Sequence, residues 1–86
     1  MDALARALVN AMAFIELSPE DVIDFDSSIQ AMEMIVSELK DATPQEITSL
    51  KVALEAQHKI QKETGARGDI LEFYKNFLES TGLEEK

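Results

Sequence analysis

Apolar residues recur every three or four positions along the chain, in four blocks separated by polar joints that carry Pro or Gly. That period belongs to helices with one apolar face, and no stretch alternates residue by residue as a half-buried strand would. Leu4, Leu8, Met12 (with Ala11) and Ile15 predict a helix over about 2–16. Ile29, Met32, Ile35, Val36 and Leu39 predict a second over 27–41. Ile47, Leu50, Leu54 and Ile60 mark a third over 44–64, and Ile70, Phe73, Tyr74, Phe77 and Leu78 an aromatic fourth over 70–81. The expected fold is all-α: a small bundle of about four helices in one domain, 1–86, with a short acidic connector between the first two helices. Short joints make neighbours antiparallel, and dimerisation is one way to complete the bundle.

Local signals punctuate these helices. Thr43-Pro44-Gln45-Glu46 combines a capping Thr, a Pro in the first helical position and a Glu that reaches back. Ser27 and Gln30 have the same box spacing, as do Asp69 and Glu72. Gly65 and Gly82 follow helices where a left-handed residue is needed, and Leu83 is expected to fold back over the last turn. Between Ser18-Pro19 and the next cap there is room for a single helical turn.

At 86 residues the chain buries only about 60–65% of its unfolded surface, which makes a covering subunit or partner useful. Its charge narrows the choice of partner. Seventeen acids face eight Lys and Arg, for a net −9. Phosphate backbones and anionic membranes require clustered cations, so neither nucleic acid nor a membrane is an expected partner. The stretch Ala7–Ile15 is read as part of an amphipathic helix and not a leader, since Asp2 precedes it and Asn10 interrupts it. Without cysteine there is no disulfide framework, thiol nucleophile or thiolate metal site, and a reducing cytoplasm is the expected setting. Acids concentrate at one place: Glu16, Glu20, Asp21, Asp24 and Asp26 occur with no base among them, around an apolar Phe25. Such crowding costs self-repulsion unless something positive relieves it.

Candidate chemistry is sparse. Ser28-Ile29-Gln30-Ala31-Met32-Glu33-Met34-Ile35-Val36 resembles the opening of the second helix of the acyl carrier proteins, a small, acidic, four-helical family with an Asp-Ser-Leu motif. That resemblance implies a phosphopantetheine arm on Ser28. Ser27 stands where the family has Asp, the preceding loop is shorter, and the third helix here is the longest in the chain. Ser27 and Ser28 are therefore read first as helix-capping residues. Asp24, Asp26 and Ser28 match the first ligand spacings of a calcium loop, but Ile29 and Ile35 fill the positions of its essential Gly and Glu. His58 has Glu55 near it on one helical face, too few ligands for zinc and no nucleophile to activate, so an exposed helix histidine is expected. Arg67-Gly68-Asp69 spells an integrin-binding tripeptide where a loop and a cap are already required. Met32 belongs to the core stripe and Met12 and Met34 border it, while Phe73 and Tyr74 cannot both face one core.

Catalysis by the unmodified chain is not expected: it lacks a Gly-rich phosphate loop and a metal set, and has one His. No cofactor is required. The expected function is a small acidic protein–protein interaction module that engages a basic protein partner through Glu16, Glu20, Asp21, Asp24, Phe25 and Asp26. The immunity proteins of nuclease colicins are similar in size, charge and helical content, so an immunity- or antitoxin-type inhibitor fits. Their paired-tyrosine motif has no counterpart here, and no residue role carries over. The alternatives are a carrier with its arm on Ser28 and a structural homo-oligomer, for which a dimer through the third or fourth helix is expected.

Overall fold

A computed structural model describes residues 2–84. Four helices follow in order, α1 (Ala3–Leu17), α2 (Phe25–Leu39), α3 (Pro44–Glu63) and α4 (Gly68–Ser80). The described residues form no strand.

Most helix ends follow from local chemistry. Asp2 caps α1 by accepting from the Leu4 amide at 2.9 Å. Thr43 and Glu46 complete the expected capping box on α3, at 3.1 and 2.8 Å, with Pro44 behind the cap. Gly65 and Gly82 take φ +77° and +76°, the left-handed turn that ends α3 and α4. The amides of Ala66 and Leu83 then reach back five residues, to the carbonyls of Gln61 and Leu78. Two starts differ from expectation. Asp24, not Ser27, caps α2: its carboxylate accepts from the Ser27 amide at 3.0 Å and from the Ser27 hydroxyl at 3.1 Å. Helix α4 begins at Gly68 with no side-chain cap, and Asp69 sits within its first turn, ion-paired to Arg67 at 3.3 Å.

The buried core belongs to α1, α3 and α4. It comprises Ala5, Val9, Met12 and Ala13 of α1, Leu50, Ala53 and Leu54 of α3, and Tyr74, Phe77 and Leu78 of α4. Val9, Met12 and Ala53 are wholly inaccessible, and among the described residues none that is polar or charged is buried. On α1 the core face is turned about one position from the expected stripe, which leaves Leu4 80% and Phe14 60% exposed. This helix is apolar nearly all round, so its neighbours choose the face. Small Ala5 and Ala13 are buried on that face. On α3, Ile60 is exposed and the core ends at Leu54. Met12 lies at the centre of the core and Met34 in the open.

Helix α2 is different: none of its residues is buried. Met32, Ile35, Val36 and Leu39 pack half-covered against the core. The principal packing pairs are α1 with α2, α1 with α3, and α3 with α4. The helices thus pack in the spatial order α2–α1–α3–α4, and α2 with α4 is not among the principal packing pairs.

One bond ties the start of α2 to the end of α1. Proline at position 19 has no N–H, so the carbonyl of Ile15, four residues earlier, lacks its helical partner. The Ser28 hydroxyl supplies one, donating to the Ile15 carbonyl oxygen at 2.9 Å from the first turn of α2. Between them the chain makes the single expected turn, with the Val22 and Ile23 amides donating to the Pro19 carbonyl at 2.9 and 3.0 Å.

Candidate functional site

The gap between α2 and α4 forms a groove of about 800 Å³. Its α2 wall is one unbroken helical face: Ile29, Met32, Glu33, Val36, Ser37 and Lys40. Its α4 wall repeats the spacing with Asp69, Glu72, Phe73, Asn76, Phe77, Ser80 and Thr81. Leu17 and Glu16, from the end of α1, complete the lining. At 1.5 Å per residue, Ile29 to Lys40 spans about 17 Å.

Side chains of two kinds divide this lining. Leu17, Met32, Val36, Phe73 and Phe77 supply apolar surface, and the Phe73 and Phe77 rings lie 5.8 Å apart. Glu16, Glu33, Asp69 and Glu72 supply four carboxylates against the single ammonium of Lys40. Among the described residues, Glu16, Glu33 and Glu72 form no ion pair, while Asp69 is held by Arg67. The Phe73–Tyr74 conflict resolves here: Tyr74 enters the core, Phe73 faces the groove, and the two rings meet edge-on at 5.2 Å.

The acidic residues singled out in the sequence take different places. Glu16 lines the groove. Glu20 and Asp21 stand exposed in the connector turn. Asp24 is engaged in capping and Asp26 lies in the first turn of α2, where a negative charge suits the helix dipole. Phe25 opens α2 with 63% of its surface exposed. No three His, Asp or Glu among the described residues come close enough to hold a metal ion. Ser28 is half-buried, and any arm attached to it would break its bond to Ile15. Glu33, Asp69, Glu72 and Phe73 are the site residues that the acidic connector does not announce. Their signal is the matching i, i+3, i+4, i+7 spacing on two helices, which cannot by itself say that the two faces meet across a gap.

A second, smaller cleft of about 370 Å³ lies between α3 and α4, lined by Lys51, Leu54, Glu55, His58, Tyr74, Lys75, Leu78, Glu79 and Glu84. Here His58 is half-buried and not exposed as expected. Burial pushes the Tyr74 phenol above its ordinary value of 10.0. A Lys51–Glu84 ion pair of 3.3 Å borders this cleft. No described helix is long and apolar enough to cross a membrane. No protein-family model, curated protein or solved structure matches the chain.

Proposed function

We propose that this chain is a small acidic interaction module of the cytoplasm, binding a basic protein partner, with an immunity- or antitoxin-type inhibitor as one fitting role. The observation that carries the reading is the α2–α4 groove, in which apolar side chains lie beneath four carboxylates and one ammonium. Glu20, Asp21 and Asp26 extend the same negative field along the connector beside Glu16. A field of one sign around an apolar cleft raises the encounter rate of an oppositely charged protein and orients it before contact. The direct test is capture by tagged protein at low and moderate salt, comparing wild type with E20Q/D21N/E33Q. The reading expects a basic partner that is retained at low salt, lost at moderate salt, and lost from the neutralised variant. A partner that binds both proteins equally at both salts would refute it.

Exposed Val52 and Ile60, eight residues apart on α3, favour a second reading, a homodimer through that helix. Sedimentation equilibrium of wild type against I60K separates the two: a dimer abolished by the lysine supports self-assembly.

A further inference from the structure

We infer that the occupant of the α2–α4 groove is one basic amphipathic helix of about three turns, seated lengthwise as a fifth helix of the bundle. This rests on the interaction reading and specifies the partner's form.

Three observations lead to it. First, both walls are helical, and each presents residues at i, i+3, i+4 and i+7 toward the gap. Such ridges accept the ridges of another helix at an interaxial distance of about 8–10 Å. A peptide bound as an added β-strand would need a free sheet edge to pair with, and the described residues form no strand. A helix brings its own backbone bonds satisfied. That suits a groove whose Ser80 and Thr81 hydroxyls already donate to the Phe77 carbonyl, at 3.2 and 2.7 Å. Second, the span of about 17 Å corresponds to roughly three turns, enough for apolar anchors at i, i+3 or i+4, and i+7 over Met32, Val36, Phe73 and Phe77. Third, the charges select the sign. Among the described residues, Glu16, Glu33 and Glu72 have no ion-pair partner, so Lys or Arg flanking the occupant's apolar stripe would meet carboxylates on both walls. A second copy of this chain, at net −9, would instead bring repulsion to the same place.

The test titrates the full-length protein with a fluorescein-labelled Leu/Lys peptide of fourteen residues patterned as an amphipathic helix. Comparison peptides are a Leu/Glu peptide of the same pattern and a Leu/Lys peptide of alternating, strand-type pattern. Expected is saturable one-to-one binding of the helical Leu/Lys peptide alone, with amide shifts confined to residues lining the groove. Affinity should fall at least tenfold in E33K/E72K, whose two positions are exposed and leave the core intact, and should fall again as salt rises. Equal binding of the strand-pattern peptide, shifts on the Leu4–Phe14 face of α1, or unchanged affinity in E33K/E72K would overturn the inference. So would a groove filled by self-association, seen as a dimer that E33K/E72K dissociates. If a cellular partner still depends on E20Q/D21N/E33Q while the helical peptide fails, the helix inference falls and the interaction reading stands. If both fail, the reading itself falls.

Discussion

Replacing Ser28 by Ala removes the hydroxyl that completes the Ile15 carbonyl, and the cost can be worked from the surroundings. An ordinary intramolecular hydrogen bond contributes a net 0.5–1.5 kcal/mol, and an acceptor left unsatisfied in a buried place costs about 1–3 kcal/mol. The Ser28–Ile15 bond is half-covered, so S28A should lose about 1–1.5 kcal/mol. In a domain of this size each kcal/mol shifts the melting temperature by roughly 4–8 °C, so far-UV circular dichroism and urea titration both read the change easily. S27A is the control. The Ser27 hydroxyl bonds Asp24 at the exposed surface, and its loss should cost under about 0.5 kcal/mol. Pro19, which has no N–H, is the origin of the orphaned carbonyl. P19A restores an N–H four residues after Ile15 and gives α1 the means to extend by one residue. In that background S28A should therefore cost less, by more than about 0.5 kcal/mol of coupling. An S28A protein as stable as wild type, or an equal cost in both backgrounds, would refute the account.

Further predictions rest on single features. D24A should destabilise by about 1 kcal/mol through loss of the α2 cap, more than S27A, as measured by urea unfolding. Tyr74 is the single tyrosine, and its folded pKa is raised by burial, so the native state holds this proton longer than the unfolded chain. Its contribution to stability is full below about pH 10 and is lost as pH rises toward the folded value; tyrosinate absorbance should titrate late, and Y74F should flatten the alkaline fall in stability. G68A should stabilise by about 0.4–1 kcal/mol, because Gly68 has open space around its Cβ and no positive φ. G82A should destabilise, because φ +76° strains any side chain there; thermal melts of the two alanine variants should move in opposite directions. M12A should cost about 2–5 kcal/mol, as it opens a cavity at a fully inaccessible position.

What could be read from the sequence was what short-range chemistry determines. The α3 start is legible because Thr43, Pro44 and Glu46 satisfy one another within four residues. The α4 end is legible because Gly82 and Leu83 need only the preceding turn. The α2 start is harder, because Asp24, Asp26 and Ser27 offer overlapping cap frames. The frame that forms is the one that also places Ser28 under Ile15, thirteen residues back. The face of α1 is not decided by periodicity when Leu4, Leu8, Phe14 and Ile15 offer as much apolar surface as Val9 and Met12. Its choice depends on the helices it packs against, α2 and α3. The groove has the same character. Each of its walls is visible as a spaced set of residues, whereas the separation between the walls is a property of how α2 docks.

That docking has a consequence for how the domain holds together. Among the described residues, all ten that are buried lie on α1, α3 and α4, and α2 contributes none. The closed core is therefore built by three helices, with α2 packed half-covered upon it. Detaching α2 forfeits the half-covered contacts of Met32, Ile35, Val36 and Leu39 and the Ser28 bond, but no fully buried residue of its own. Protection of backbone amides in hydrogen exchange is accordingly expected to be lowest along α2 and highest where α1 meets α3. Anything that grips α2 from the open side fastens the least tightly held part of the fold. Part of its binding free energy then appears as local stability of that helix.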